Sequence, residues 1–301
     1  MPDLPRAITH VGIPPIKCQG IKTKLVPFIS ERIRWDAGDR GVWIEPFLGS
    51  GVVAFNLAPP RAVLADVNHH LIRFYRAIQV GEITPEIVRA HLEVQAPLLA
   101  AAGATHYYAV RQRFNAAGDP LDFLFLNRSC FNGLMRFNRD GGFNVPFGHK
   151  PERFSKGYIT KIVNQIAWVQ RQMHGKDWQF VVSDWRSIVA QARTHDLVYL
   201  DPPYVGRHAD YFTQWTPEEA EALAEAARES SAGIALSMWR QNRYRRNTHL
   251  DEHWPGFTIH TTAHFYHVGA TERLRNAMEE ALLVSPGHSV EASCVPPPDR
   301  L

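Results

Sequence analysis

Two consecutive prolines fix the end of one strand in this chain more firmly than any other feature fixes an element. Val198-Tyr199-Leu200 is a short run of apolar β-formers, the pattern of a strand buried on both faces. Pro202 and Pro203 stop it, since neither has an N–H to give to a neighbouring strand. Asp201, a stiff bend and the ring of Tyr204 are left at the strand's carboxyl end, the edge of an open α/β sheet where ligands bind. A carboxylate beside a carbonyl of fixed direction suits an exocyclic amine conjugated with a flat ring. Both amine hydrogens find acceptors, the nitrogen becomes more tetrahedral, and the tyrosine stacks on the base. Methyl transfer to such an amine needs positioning and electrostatics, with no metal and no covalent intermediate. A plain Pro-Pro turn after a strand is the simpler alternative, and Asp-Pro-Pro by itself favours it.

Other segments repeat the strand-then-helix rhythm. The run VWIE at 42–45 leads through Pro46-Phe47-Leu48-Gly49-Ser50-Gly51 into the apolar VVAFNL, a strand, glycine turn and helix. Gly49-x-Gly51-x-x-Ala54 matches the dinucleotide fingerprint, where a nucleoside cofactor approaches backbone closely. The strand at 62–66 ends in Asp66, an acceptor for ribose hydroxyls, with a helix cap at Asp66 or Asn68 as the alternative. A nicotinamide and an adenosyl cofactor both fit these two units. The strand at 178–182 ends in Ser183-Asp184-Trp185; these hold an adenine, or else form a cap beside a core tryptophan. Thr216-Pro217-Glu218-Glu219 starts a helix, and GIALS, FTIHTTAHFY and EEALLVS read as further strands. The class is α/β: a Rossmann-like fold with a mixed central sheet flanked by helices.

The rhythm breaks between residues 76 and 157. Two alanine-rich helical stretches are followed by an aromatic-rich segment in which Asp140-Gly141-Gly142 signals a hairpin. Its arms carry Asn132, Arg136, Asn138 and Arg139, side chains that make paired hydrogen bonds to base edges. Lys150, Arg153 and Lys156 are placed to meet phosphates. So is the arginine-and-aromatic run MWRQNRYRR at 238–246, read as a loop. A further loop at 205–215 holds Arg207 and His208. Residues 1–75 and 158–285 thus form one catalytic domain interrupted by a recognition insertion at 76–157. Residues 286–301, with Pro-Pro-Pro, read as a disordered tail.

Net charge is only +3, so any case for nucleic acid rests on how charge is distributed. Cys18, Cys130 and Cys294 form neither a disulfide framework nor a metal pair, which points to a reducing, cytoplasmic setting. No apolar run is long enough to cross a bilayer.

Several motifs now stand in one order: K-x-x-G-x-K at 17–22, E-P-F-x-G-S-G at 45–51, A-D-x-N at 65–68, N-G-L-x-R-x-N at 132–138, F-N-V-P-F-G at 143–148 and D-P-P-Y at 201–204. In this the chain resembles the Dam-like (D12 class) DNA adenine-N6 methyltransferases, over nearly its whole length up to the tail. The resemblance implies that Asp201, Pro202 and Tyr204 bind and activate a flipped adenine, with Pro203 holding the bend. It implies that Lys22, Glu45, Phe47, Gly49, Gly51, Asp66 and Asp184 surround S-adenosylmethionine. Trp185 would lie beside the adenine of that cofactor, and Asp201 would also touch its methionine part. Lys17, Asn132, Leu134, Arg136, Asn138 and Pro146 would face double-stranded DNA, the family's usual target being adenine in GATC. A cognate restriction endonuclease acting independently is the one protein partner the resemblance suggests. The chain departs from the family at Cys18, commonly tryptophan, at Ile21, usually glycine, and at Met238, usually asparagine. The rival classes are an RNA guanine-N2 or adenine-N6 methyltransferase, a nicotinamide dehydrogenase, and a non-catalytic DNA-binding regulator.

Overall fold

Short apolar strands that alternate with helices assemble into one parallel sheet because each helix carries the chain back to the same edge. The computed structural model describes residues 4–204, 215–242, 246–265 and 277–290. Its strands are β1 (Trp43–Glu45), β2 (Arg61–Asp66), β3 (Asp177–Val182), β4 (Leu197–Leu200), β5 (Gly233–Asn242), β6 (Thr258–Phe265) and β7 (Ala277–Val284). They form a 7-stranded sheet in the order β3-β2-β1-β4-β5-β7-β6. The first five in that order are parallel to one another, and β7 is antiparallel to both β5 and β6. The order reverses between β1 and β4, so the topological switch point of this mixed α/β fold lies at their carboxyl ends.

Alternation along the strands divides the core between the two sheet faces. Trp43, Leu64, Leu197 and Tyr199 belong to one cluster; Ile44, Ala65, Val198 and Leu200 belong to the other. Helices α8 (Trp185–Val189) and α9 (Pro217–Glu229) cover the second face. On the first lie α1 (Val26–Arg32), α2 (Val52–Leu57), α3 (His69–Gln79) and α7 (Lys156–Met173). Side-chain caps define several starts: Asn68 accepts from His70 N and Leu71 N, and Thr216 from Glu219 N.

Residues 67–176 contribute no strand to the sheet. Between α3 and α7 run α4 (Pro85–Ala102), α5 (Ala104–Ala117) and α6 (Pro120–Ser129). Their buried residues Val88, Leu92, Tyr107, Phe114 and Phe123 join the same cluster as Phe74 and Ile78 of α3. The insertion therefore has no separate core.

Three expectations change. Residues 123–129, read as the approach to the hairpin, are helix α6, and the hairpin itself pairs only at Cys130↔Phe147 and Phe137↔Phe143. The loop expected at 238–246 is strand as far as Asn242, where pairing with β7 continues across a bulge. Residues 286–290, expected to belong to the tail, are tied to the fold: Ser289 bridges Ile33, and Val290 N donates to Arg32 O at 3.0 Å. Residues 205–214, with Arg207 and His208, 243–245 and 291–301 lie outside the described residues.

The turn from β1 into α2 requires glycine at 51, where φ is +70° and an added Cβ would come within 2.6 Å of the buried Phe55 ring. Gly51→Ala is expected to destabilise the protein by about 1–3 kcal/mol, read as a lowered Tm.

Candidate active site

The loop at 15–22 is drawn against the sheet by exchanged bonds: Asn127 Oδ1 accepts from Lys17 N at 2.8 Å, and Asn127 Nδ2 donates to Lys17 O at 2.9 Å. This carries Lys22 beneath the end of β4, where Nζ meets Asp201 Oδ1 at 2.6 Å. The lysine side chain is 3% exposed and the aspartate 23%. Burial disfavours the ammonium, but Asp201 overrides it and holds Lys22 above its ordinary value. Burial likewise pushes the Asp201 carboxyl up, against the pull of Lys22. The pair stands as ammonium and carboxylate, and Asp201 remains the accessible member. The Tyr204 ring lies with its centroid 5.2 Å from the same Nζ, and its hydroxyl donates to Glu280 Oε2 at 3.0 Å.

Beside this pair the glycine turn is braced from below. Asp66 accepts from Gly49 N at 3.0 Å and from Asn68 N at 2.9 Å, and the buried Tyr75 hydroxyl donates to Ser50 O at 2.6 Å. Glu45 is buried at the end of β1 and accepts from Trp43 Nε1 at 2.8 Å. Burial pushes its carboxyl up to about 8. Phe47 packs edge-on against Trp215 at 5.4 Å, and the indole N–H of Trp215 is buried with no acceptor among the described residues. Strand ends from β1, β2 and β4 thus bring Glu45, Asp66 and Asp201 to one edge, with Lys22 arriving from the amino-terminal loop.

The model of the family described as D12 class N6 adenine-specific DNA methyltransferase matches residues 19–268. The chain belongs to that family. The DNA adenine methylase of Serratia marcescens is 31% identical over 248 residues, 79% of this chain and 85% of that protein. The DNA adenine methylase of Escherichia coli (strain K12) is 34% identical over 194 residues, 61% of this chain and 66% of that one. Among solved structures, an rRNA methyltransferase from Streptomyces viridochromogenes aligns over 81% of this chain and 76% of its own, at 12% identity and a TM-score of 0.31. Family membership makes this chain an adenine-specific DNA methyltransferase, and so decides against the dehydrogenase and RNA classes.

In this methyltransferase the remaining expected residues fall into two groups. Asp184 is the exposed cap of α8, accepting from Arg186 N at 2.9 Å. Trp185 is 4% exposed, packed in the core with its indole N–H donating to Glu219 Oε2 at 3.2 Å. It offers no open face, and the core tryptophan beside a cap describes it. On the hairpin, Asn132 lies outside the arms, on a 3-10 turn with φ +52°, and it is exposed next to Phe131, itself 47% exposed. Lys17 packs against Gly133 of that turn. Leu134 is half-buried and Pro146 exposed. The oxygen of Asn138 accepts from Gly142 N at 2.7 Å, so it shapes the hairpin tip. Arg136 Nε donates to Asn144 Oδ1 at 2.8 Å. In the run read as a phosphate loop, Arg240 and Arg246 both pair with Asp251, at 3.2 and 2.8 Å, and Met238 is buried. Glu280, Trp215 and Tyr75 were not legible as site residues, since each reaches it from a segment distant in sequence, and Asn144 was read only as part of a motif although it lies opposite Arg136 in the same hairpin.

Because Glu45 is neutral in the fold up to about pH 8 but ionises near its ordinary value when unfolded, stability falls as pH rises through that interval. Thermal melts of the ligand-free protein from pH 5 to 8 are expected to show this decline, and Glu45→Gln to flatten it.

Proposed function

We propose that this methyltransferase acts on adenine extruded from double-stranded DNA, with S-adenosylmethionine held at the crevice between the carboxyl ends of β1 and β4. The Lys22–Asp201 pair carries the reading: Lys22 takes Oδ1, which leaves the other oxygen of a partly exposed carboxylate to accept an amine hydrogen. The second hydrogen goes to the carbonyl of Pro202, directed by Pro203. With both hydrogens held, the nitrogen lone pair is turned out of conjugation with the ring. Asp201 orients and supports the amine; a proton is lost after transfer. Tyr204 stacks on the extruded base, offsetting an unstacking cost of about a few kcal/mol.

The residues fit the methyl donor. An aromatic wall at Phe47 carries the unmatched indole N–H of Trp215, and acids stand at successive strand ends around the Gly49–Gly51 turn. Glu45, Phe47, Gly49, Gly51, Asp66 and Asp184 would hold the donor, with Lys22 and Asp201 at its amino-acid end. S-adenosylmethionine, when bound, supplies a methyl group made electrophilic by a positively charged sulfur. The exposed ring of Phe131 gives a stacking surface on the DNA side, and Asn144 braces Arg136 for a base edge. Adenine in GATC is the first site to test, and a DNA substrate is in keeping with a cytoplasmic setting.

Asp201→Asn keeps the side-chain size but leaves the buried Lys22 without its counter-charge; with folding checked by Tm, it is expected to lower kcat by at least ~10²-fold. Fluorescence anisotropy should show DNA affinity within about twofold of wild type, because no phosphate contact is removed. Near-normal incorporation of labelled methyl would remove the role given to Asp201. For Arg136→Ala, sequencing of modified bases is expected to reveal a relaxed target profile while cofactor titration is unchanged; an unaltered profile would show that Arg136 does not read the site.

A further inference from the structure

Alternation along β7 puts Glu280, Leu282 and Val284 on one face, and all three are buried. A carboxylate therefore stands where the pattern asks for an aliphatic side chain, with 1% of its surface exposed. Such burial is unfavourable unless the oxygens are hydrogen-bonded. β7 runs antiparallel to β5, so the first half of β7 lies at the same sheet edge as the carboxyl end of β4. There Glu280 Oε2 accepts from the Tyr204 hydroxyl at 3.0 Å, while the ring faces the ammonium that holds Asp201. Tyr204 itself lies outside any strand or helix. Contacts from elsewhere in the fold, not its own backbone, set the direction of its ring.

We propose that Glu280 is a positioning residue for methyl transfer: by accepting from the Tyr204 hydroxyl it sets the plane of the ring on which the extruded adenine stacks beside Asp201. This rests on the reading of Tyr204 as the stacking ring. A ring free to turn about its side-chain bonds meets the base in several orientations, and only those that point the amine at Asp201 react. Holding the hydroxyl raises that fraction, so the effect falls on kcat and not on DNA binding. What this role requires is an acceptor of the right length. Glutamine supplies one at position 280; leucine fills the volume and does not.

The test is methyl incorporation from labelled S-adenosylmethionine into plasmid DNA by the full chain, with Tm measured for each variant. Glu280→Gln is expected to keep kcat within about threefold of wild type, since an amide oxygen also accepts from a phenol. Glu280→Leu and Tyr204→Phe should each lower kcat by about tenfold to a hundredfold with KM for DNA little changed, and the double variant should lose no more than Glu280→Leu alone. Independent, multiplying losses would overturn the proposal, as would Glu280→Gln proving as damaging as Glu280→Leu. Should Glu280→Leu not fold, unchanged kcat in Tyr204→Phe overturns it just as directly. Tyr204→Ala separates the two levels. Lost turnover with alanine but not phenylalanine sinks the role of Glu280 alone, whereas full turnover with alanine sinks the stacking ring as well.

Discussion

The ion pair between Lys22 and Asp201 is the interaction on which the rest of the site depends. A lysine 3% exposed stays charged only beside a partner, and a carboxylate at the mouth of a crevice keeps one orientation only if something grips it. Each residue solves the other's difficulty. The arrangement also ties the amino-terminal loop to the end of β4, so the two segments are placed as a unit although they are far apart in sequence. The cation additionally faces the Tyr204 ring, which brings acid, aromatic ring and ammonium within one small volume.

Around that pair the fold supplies acids at the ends of adjacent parallel strands, a consequence of strand direction and not of any local motif. Parallel strands bring their carboxyl ends to the same edge, and the reversal of order between β1 and β4 opens the edge there. Burial then separates the roles of the acids. Glu45 is kept neutral by its surroundings, Asp66 is engaged by backbone N–H groups of the turn, and Asp201 is left ionised and partly exposed. Three carboxyl groups of similar intrinsic acidity thus do three different things.

The insertion and its hairpin are joined to the sheet by packing and hydrogen bonds. The insertion shares its core with one face of the sheet, Phe137 of the hairpin stacks on His70 at the start of α3 at 5.2 Å, and Asn127 of α6 clasps the loop that carries Lys22. Packed side chains and hydrogen bonds thus connect the hairpin, α6 and the loop that carries Lys22.

The amino-acid sequence by itself determined most strand ends, the helix starts and the turn glycines, because these rest on interactions between residues a few positions apart, and the order of its motifs along the chain carried the family. Pro202-Pro203, Gly51, Asn68 and Thr216 each act on their own local backbone. Only the tertiary structure decided that residues 238–242 are strand, that Arg240 pairs with Asp251 and that Trp185 belongs to the core. The same holds for Glu280 under Tyr204 and Tyr75 under Ser50. Whether a polar side chain faces a ligand or a neighbour is set by which distant element packs against it, and sequence spacing carries no record of that choice.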